Sequence, residues 1–322
     1  MTSQPSGRRV LVLAHTGRAE VREVARECVQ RLTAHGIAVR LLADEAADLG
    51  LAGPGTGGLV ETTQPDDMPG EGCELVLVIG GDGSILRAAE LTHETSTPLL
   101  GVNLGHVGFL AEAEQDDVES TITAIVNRAY TAEDRLTLGV QVLVGKEVLF
   151  TTFALNEASV EKAARERMLE VVVEVDGRPL SRWGCDGVVC ATPTGSTAYN
   201  FSAGGPVVWP EVEALLIVPL SAHALFARPM VVAPTSVLAI EVLASSTNSS
   251  GVLWCDGRRS VDLPPGARIE VRRGERPVRL VRLHQAPFTD RLVAKFGLPV
   301  EGWRGAAERR RRDHGDNGDA DA

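Results

Sequence analysis

The sequence has few aromatic side chains and no long apolar run. Phe, Trp and Tyr make up 4% of its 322 residues, so the core must be built from Val, Leu, Ile and Ala. No apolar run approaches the roughly 18 residues that a membrane-spanning helix needs. The first run, at 10–14, is also too short for a signal peptide. We therefore expect a cytoplasmic protein that has no membrane partner.

Positive charge is also scarce. Lys and Arg number 32 against 43 Asp and Glu, which gives a net charge of −11. Nucleic-acid binding usually requires a basic surface, so we expect no nucleic-acid partner. Since the lysines are only Lys146, Lys162 and Lys295, phosphate contacts would fall mostly to arginines.

The cysteines form no C-x-x-C pair, and their number is odd. They are Cys28, Cys73, Cys185, Cys190 and Cys255. This pattern favours buried, reduced thiols over a metal site or a disulfide.

Up to about residue 135, apolar runs alternate with amphipathic segments. Buried strands are predicted at 10–14, 37–42, 75–79 and 98–102, and helices at 20–35, from about 84 to 92, and at 116–127. Strands that alternate with helices are typical of a doubly wound parallel sheet. The segment 49–72 is rich in Gly, Pro and acids, and is predicted to be a mobile loop.

After about residue 136, the pattern changes to short alternating segments separated by turns. Strands are predicted at 138–144, 147–153, 169–175, 188–191, 237–243, 251–255, 268–273 and 278–283. The predicted fold class is thus an α/β N-terminal domain with a doubly wound parallel sheet, followed by a mostly antiparallel all-β second domain. The predicted boundaries are 1–135 and 136–285, then a C-terminal segment 286–307 whose helix at 288–296 packs back on the first domain, and a disordered charged tail at 308–322.

A glycine-rich turn, Gly80-Gly81-Asp82-Gly83-Ser84, directly follows the predicted strand at 75–79. The glycines allow a tight turn and close approach of a ligand, and the next helix N-terminus offers free N–H groups to phosphate. An acid there suits a role in which Asp82 takes a proton from a hydroxyl nucleophile or faces a magnesium-bound phosphate. The alternative is an ordinary strand-to-helix turn. The sequence has no G-x-x-x-x-G-K-[ST] motif, which excludes a P-loop.

A second turn, 103–110 (NLGHVGFL), follows the next predicted strand. Two such turns at one edge of a parallel sheet form the crevice in which α/β sheets bind ligands. Phe109 could offer its ring to a base or a sugar. For His106, a structural role is the better interpretation.

A third segment, 192–199 (TPTGSTAY), combines hydroxyl groups, a glycine and exposed N–H groups. Such a loop can form several hydrogen bonds with a nucleotide, although a plain Ser/Thr-rich turn is the alternative. Two smaller features are the polar pair Asn156-Glu157 within an apolar run and Asp186 in a Gly-Cys-Asp-Gly turn. Each could be a site residue or a satisfied polar group.

In this order, these segments resemble the NAD kinase family, over roughly residues 10–297. The resemblance lies in GGDGS at 80–84, NLGHVGFL at 103–110, NE at 156–157, and the block from Cys185 to Pro210. The sequence looks like the actinobacterial branch. The resemblance implies transfer of a phosphoryl group from ATP to the 2′-hydroxyl of the adenosine ribose of NAD, a divalent metal (Mg²⁺) as cofactor, and a homo-oligomer, either dimer or tetramer.

The resemblance also implies roles for individual residues. Asp82 would accept the proton of the ribose hydroxyl, with Gly83 beside it and Arg87 near the phosphates. The remaining substrate contacts would come from Asn156, Glu157, Arg167, Asp186, Thr197, Ala198, Tyr199, Asn200 and Ser202. We assign no metal ligand among the protein's residues.

Three positions depart from the family pattern. Ser84 stands where Thr is frequent, a change that keeps the hydroxyl group. Arg258 stands where many members carry Gln, and Gly184 stands where some carry a basic residue. We expect the missing side chain at Gly184 to leave room at the site, and hypothesise that inorganic polyphosphate can replace ATP.

Two other functions compete with this interpretation. A lipid kinase of the diacylglycerol type would share GGDG, but the net negative charge suits an anionic membrane poorly. A non-catalytic NAD-sensing module would have no use for Asp82 as a base.

Overall fold

The computed structural model describes residues 7–52, 58–105, 108–114, 117–164, 168–244, 250–284 and 287–300. The helices are α1 (Ala19–Ala34), α2 (Ala43–Asp48), α3 (Asp82–Thr92), α4 (Val118–Asn127), α5 (Tyr199–Ser202) and α6 (Phe288–Phe296). The strands are β1 (Arg9–Ala14), β2 (Ala38–Leu42), β3 (Val60–Thr63), β4 (Leu75–Ile79), β5 (Leu99–Asn103), β6 (Ala113–Glu114), β7 (Thr131–Arg135), β8 (Leu138–Val144), β9 (Glu147–Ala154), β10 (Glu157–Lys162), β11 (Leu169–Val175), β12 (Arg178–Cys185), β13 (Gly187–Ala191), β14 (Leu215–Leu220), β15 (Met230–Val232), β16 (Leu238–Val242), β17 (Gly251–Cys255), β18 (Arg259–Leu263), β19 (Ala267–Arg273) and β20 (Val278–Arg282).

The first sheet has the order β3-β2-β1-β4-β5-β20-β7, with β6 beside β5. All its pairings are parallel except that of β20 with β7. The strand order reverses between β1 and β4, and such a reversal opens a crevice at the carboxyl ends of the strands. The predicted α/β domain with a parallel sheet is confirmed.

Both faces of this sheet are covered. Along β1, Val10 and Val12 pack in one core with apolar residues of α1 and α4, whereas Leu11 and Leu13 pack in another with residues of α3. Because neighbouring side chains of a strand point to opposite faces, a run that is apolar throughout must be covered twice. The α3 face also contacts the second domain, since Phe153 and Leu155 belong to the same core.

The second domain contains two antiparallel sheets of six strands. Their orders are β15-β14-β13-β10-β17-β18 and β12-β11-β16-β19-β8-β9. One apolar core is shared by the two sheets and includes the fully buried Trp183. The predicted all-β second domain is therefore confirmed, as a sandwich.

One predicted strand belongs to a different sheet from the one expected. The strand at 278–283 was assigned to the β-rich domain, but β20 lies in the first sheet between β5 and β7. Arg282 of β20 forms an ion pair with Glu133 of β7 at 3.1 Å, which stabilises this pairing. An alternating pattern reports which face is buried, and it does not identify the neighbouring strand.

The segment predicted as a loop at 49–72 includes the edge strand β3, parallel to β2. Glu61 of β3 forms ion pairs with Arg9 of β1 and Arg40 of β2, at 2.9 and 3.5 Å. These contacts explain why a segment without a strong apolar pattern joins the sheet. Residues 53–57 of that segment lie outside the described residues, as does the predicted tail at 308–322.

All five cysteines are free, and all except the partly buried Cys73 are buried. Burial raises the pKa of the thiols of Cys28, Cys185, Cys190 and Cys255 to about 12. The prediction of buried thiols is thus confirmed for four of them. Among the described residues, no helix is long and apolar enough to cross a membrane.

Candidate active site

Asp82 is the first residue of α3 and lies at the point where the strand order of the first sheet reverses. Strand β4, which precedes the turn, is buried at every position. Gly80 has φ +151°, and a Cβ atom built there would lie 2.4 Å from Ser84 Oγ. The turn therefore needs glycine at this position to direct the chain into α3.

The carboxylate of Asp82 is held by the second glycine-rich segment. Its Oδ2 accepts the N–H of Phe109 at 3.0 Å, and its Oδ1 accepts the N–H of Leu110 at 3.1 Å. A Cβ atom on Gly108 would lie 2.4 Å from Asp82 Oδ1, so only glycine leaves space for the carboxylate there. The two turns that the sequence places at one sheet edge are in direct contact.

A cavity of about 320 Å³ lies beside this turn, and we call it the turn cavity. It lies at the ends of β1 and β4, where the strand order reverses. Its lining consists of Leu13, Ala14, His15, Gly81, Gly83, Ser84, Arg87 and Arg258. It brings together the predicted Gly83 and Arg87 with Arg258 from the second domain.

Arg87 is held at the turn cavity by the buried Glu45. Arg87 Nη1 donates to Glu45 Oε1 at 2.6 Å, and Glu45 Oε2 accepts the N–H of Ala14 at 2.8 Å. Burial raises the pKa of Glu45, while the hydrogen bonds from Ala14 and Arg87 oppose that rise. Arg258 similarly pairs with Glu90 of α3 at 2.9 Å.

The polar pair Asn156-Glu157 is held in place by Asp256, which the sequence analysis did not assign to the site. Asp256 Oδ1 accepts the N–H groups of Asn156 at 2.7 Å and Glu157 at 3.3 Å, and Oδ2 accepts that of Leu155 at 2.9 Å. Arg259 also pairs with Asp256 Oδ2, at 2.8 Å. One buried carboxylate thus fixes the backbone of three successive residues.

Glu157 is a buried acid with a strongly shifted titration. Burial first, and then the nearby charge of Asp256, raise the pKa of Glu157 from 4.5 to about 7. The N–H of Tyr199 donates to Glu157 Oε2 at 3.3 Å and opposes this rise. At neutral pH the carboxyl group can therefore act as a hydrogen-bond donor or as an acceptor.

The loop at 192–199 packs directly against this pair. Thr192 Oγ1 donates to the carbonyl of Leu155 at 2.6 Å and accepts the N–H of Gly195 at 2.9 Å. A Cβ atom on Gly195 would lie 2.0 Å from the carbonyl oxygen of Asn156, so the two chain segments approach too closely for a side chain. Thr197 and Ala198 are half-buried here, and Tyr199 and Ser202 are exposed.

Asn200 is fully buried and contacts its own loop. Its amide donates to the carbonyls of Ser196 and Pro206, both at 3.1 Å. These bonds connect α5 to the glycine-rich segment that follows it. Asn200, predicted as a substrate contact, therefore shapes the loop in this structure.

Asp186 lies in the turn between β12 and β13 and pairs with Lys162 at 2.5 Å. The hydrogen bond from Lys162 lowers the pKa of Asp186. The pKa of the Tyr199 phenol is raised by burial and by the charges of Glu161, Glu157 and Asp186. Asp186 therefore lies near the phenol of Tyr199.

The surroundings of Phe109 and Gly184 differ from those expected. The ring of Phe109 packs against Phe288 and Phe296, with centroids 6.0 and 5.8 Å apart, so α6 already contacts it. The expected space at Gly184 is filled, because a Cβ atom there would lie 2.7 Å from Met168 Sδ. Arg167 and His106 lie outside the described residues.

Three residues with roles at the site, Asp256, Glu45 and Arg291, were missed by the sequence analysis. Arg291 of α6 donates to the carbonyls of Phe109 and Ala111, at 3.2 and 2.8 Å. For Asp256, the Asp-Gly turn between two strands was a signal, and its φ of +54° fits a tight hairpin turn. Glu45 and Arg291 lie on polar helical segments with no distinguishing pattern.

Family models match most of the chain. The N-terminal domain of ATP-NAD kinases matches residues 10–130, and the corresponding C-terminal domain matches residues 155–283. The fold and these matches define a kinase that transfers a phosphoryl group to an alcohol group.

Several relatives are similar over nearly the whole chain. An NAD kinase of Thermobifida fusca is 58% identical over 96% of this chain and 95% of its own length. NAD kinase 2 of Streptomyces coelicolor is 60% identical over 93% of this chain and 97% of its own. The chain belongs to the NAD kinase family.

Two solved structures are similar in fold. An NAD kinase from Archaeoglobus fulgidus in complex with ATP has a TM-score of 0.66 and 26% identity, and the match covers 89% of this chain and 98% of that one. A yeast NADH kinase complexed with NADH has a TM-score of 0.82 and 23% identity, over 92% and 89% of the two chains.

Proposed function

We propose that this enzyme transfers the terminal phosphoryl group of ATP to the 2′-hydroxyl of the adenosine ribose of NAD and forms NADP. The observation that carries this proposal is the position of the Asp82 carboxylate. It stands at the sheet edge between Gly81 and Gly83, which line the turn cavity, and is fixed by the N–H groups of Phe109 and Leu110.

Asp82 acts as the proton acceptor in this mechanism. Each carboxylate oxygen has about two lone-pair sites, and the bond from Phe109 or Leu110 occupies one of them. A free lone-pair site on the Asp82 carboxylate accepts the proton of the ribose 2′-hydroxyl. The ribose oxygen attacks the γ-phosphorus as it loses this proton. The bond between the γ-phosphorus and the bridging oxygen breaks, and ADP leaves. Phosphoryl transfer depends mainly on such positioning and on charge stabilisation.

The NAD substrate binds along the second-domain side of the site. Asn156 and Glu157 are held rigidly by Asp256 and offer polar groups to the ribose and the adenine. Thr197, Ala198, Tyr199 and Ser202 surround the adenine, with Asp186 at another part of the dinucleotide.

The phosphoryl donor binds in the turn cavity. Arg87 and Arg258 place guanidinium groups there, paired with Glu45 and Glu90 respectively. The archaeal enzyme of similar fold was solved with ATP, which supports ATP as the donor. Polyphosphate is a second donor in this proposal. The support for polyphosphate is the Arg258 guanidinium, which stands where many family members carry Gln. The space expected at Gly184 gives no support, because Met168 fills it.

A divalent metal, Mg²⁺, fits this site as a companion of the donor. Among the described residues, no three His, Cys, Asp or Glu side chains come together as a metal cage. Mg²⁺ commonly binds through substrate phosphates and one or two carboxylates, and Asp82 is a carboxylate at the turn. Once bound, the metal would neutralise charge on the transferred phosphoryl group.

The proposed enzyme is a homo-oligomer. Support comes from large apolar side chains that a single chain leaves exposed, namely Leu225, Phe226 and Trp209. Leu225 and Phe226 are adjacent in the sequence, and neighbouring exposed apolar side chains are candidates for an interaction surface. Light scattering on the purified protein and on Leu225→Glu tests this part, and a monomeric wild type would contradict it.

An endpoint assay tests the main proposal. Purified enzyme is incubated with NAD and a magnesium salt, with ATP and with ATP-free polyphosphate in separate reactions. An NADP-specific dehydrogenase reports the product. We expect NADP with ATP, and with polyphosphate as well. Folded protein that binds NAD but forms no NADP with either donor would contradict the proposal and favour a sensing module. NADP with ATP alone would contradict only the polyphosphate part.

A further inference from the structure

Helix α6 contacts the first domain through the half-buried Arg291. Its Nη1 donates to the carbonyl oxygens of Ala111 at 2.8 Å and Phe109 at 3.2 Å, and its Nη2 pairs with Glu112. These three acceptors lie at the end of the second glycine-rich turn and in the two residues that follow it. The side chains of Arg291 and Glu112 are 13% and 2% exposed, so water competes little with the contact.

One peptide group connects Arg291 to Asp82. The carbonyl of Phe109 and the N–H of Leu110 are the two ends of the same peptide bond. Arg291 donates to that carbonyl, and that N–H donates to Asp82 Oδ1 at 3.1 Å. A charged donor on the carbonyl polarises the peptide and strengthens the hydrogen bond that its N–H makes.

Arg291 itself is held in a fixed position. Glu112 also accepts Arg282 Nη1 at 2.7 Å and the N–H of His284 at 3.2 Å, so two further donors hold the carboxylate that orients Arg291. The guanidinium therefore has little freedom to turn away from the two carbonyls.

The aromatic residues of α6 add a second contact with the same segment. Phe288 and Phe296 both lie against the Phe109 ring. Phe296 also contacts Phe201 of α5, with ring centroids 4.7 Å apart. Helix α6 thus contacts Phe109 through both its backbone and its ring, and connects the Asp82 turn to the loop that carries Tyr199.

We propose that Arg291 is a positioning residue that orients the catalytic Asp82 through the Phe109–Leu110 peptide. This inference rests on the proposed role of Asp82 as proton acceptor. Without the guanidinium, the peptide can rotate and Asp82 loses the fixed direction in which it accepts the ribose proton. We expect substrate binding to change little, because Arg291 donates to Phe109, Ala111 and Glu112 and to none of the residues assigned to NAD or ATP.

The test compares Arg291→Met and Arg291→Lys with the control Arg31→Met. Arg31 is also a helix arginine paired with a glutamate, but it lies on the surface of α1. We expect Arg291→Met to lower kcat by about 10- to 100-fold, since small displacements of catalytic groups are costly. KM for NAD and for ATP should stay within about twofold of wild type. Arg291→Lys should have a higher kcat than Arg291→Met, because its ammonium group can donate to a carbonyl. It should stay below wild type, because a single ammonium group cannot also pair with Glu112 as the guanidinium does.

A second measurement follows the peptide itself. Amide hydrogen exchange at Phe109 and Leu110 should be faster in Arg291→Met than in wild type, and unchanged in Arg31→Met. Thermal melting identifies a variant that fails to fold, and Arg291→Lys then remains as the test.

The outcomes separate this inference from the function on which it rests. If Asp82→Asn turns over like wild type, the proposed role of Asp82 fails. If Asp82→Asn is inactive while Arg291→Met and Arg291→Lys keep the wild-type kcat, only the role of Arg291 fails. A fall in kcat matched by an equal loss of NAD affinity would also overturn it, because it would show a general structural role.

Discussion

Asp256 and Glu157 are joined by two hydrogen bonds, one to the Asp256 side chain and one between backbones, although they are 99 residues apart in the sequence. The N–H of Glu157 donates to Asp256 Oδ1 at 3.3 Å, and the N–H of Asp256 donates to the carbonyl of Glu157 at 2.9 Å. The same Asp256 carboxylate also accepts the N–H groups of Leu155 and Asn156. The pair Asn156-Glu157 is therefore positioned by the hairpin turn between β17 and β18, which is distant in the sequence but adjacent in the fold.

Asp256→Asn should destabilise the protein. An amide offers one acceptor oxygen where the carboxylate offers two, so its NH₂ group would face buried N–H donors or Arg259. We expect a loss of about 3–5 kcal/mol in the free energy of unfolding, measured by denaturant titration. Asp262→Asn, at an exposed position on β18, is the matched control and should change little. Equal stability of the two variants would contradict this account of Asp256.

Glu157→Gln should change how stability depends on pH. Because the pKa of Glu157 is about 7 in the folded protein and near 4.5 when unfolded, the folded state holds a proton that the unfolded chain releases between these values. Wild-type stability therefore falls as pH rises through this window. Glutamine does not titrate, so the stability of Glu157→Gln should not fall for this reason as the pH rises.

Relative to wild type, Glu157→Gln should accordingly gain up to about 3 kcal/mol between pH values of about 4.5 and 8. Denaturant titrations at several pH values measure this difference. Glu147→Gln, at an exposed position of β9, is the control and should parallel wild type. A difference between Glu157→Gln and wild type that is constant with pH would show that Glu157 titrates normally.

Gly108→Ala should reduce activity without unfolding the protein. The new Cβ atom would lie 2.4 Å from Asp82 Oδ1, and the end of that side chain can rotate away more easily than backbone could. Rotation would remove the carboxylate from the N–H groups that orient it. We expect kcat to fall about 100-fold with a nearly unchanged melting temperature.

Gly105→Ala provides the control for this substitution, because a Cβ atom at Gly105 meets nothing within 4 Å. It should keep both rate and stability. If Gly108→Ala is as active as Gly105→Ala, the fixed orientation of Asp82 is not required for turnover.

The sequence was sufficient to predict the local part of this site. The turn at 80–84 follows a buried strand, and the carboxyl ends of parallel strands share an edge, so contact between Asp82 and the segment at 103–110 could be expected. Of the twelve strands that the structure describes in the second domain, seven were likewise apparent from alternation and turns, namely β8, β9, β11, β13, β16, β17 and β19. The strands β10, β12, β14, β15 and β18 were not predicted.

The remaining features depend on contacts between distant parts of the chain. Nothing near Arg291 shows that its guanidinium binds carbonyls 180 and 182 residues away. The pattern of β20 also does not reveal that it pairs with β5 and β7 instead of with the sandwich. Met168 fills the space at Gly184 through a cross-strand approach that no local pattern reports. Sequence patterns predict elements and the faces they bury, whereas partners are set by tertiary packing.

The most direct measurement compares Asp82→Asn with wild type in NADP formation and in NAD binding. Asparagine preserves the size of the side chain but cannot accept the ribose proton as a carboxylate does. We expect turnover to fall by about 10²- to 10⁴-fold, the usual contribution of a positioned base, while NAD affinity by calorimetry is retained. Wild-type turnover in the variant, or a loss of NAD affinity as large as the loss of turnover, would contradict the assignment of Asp82 as the catalytic base.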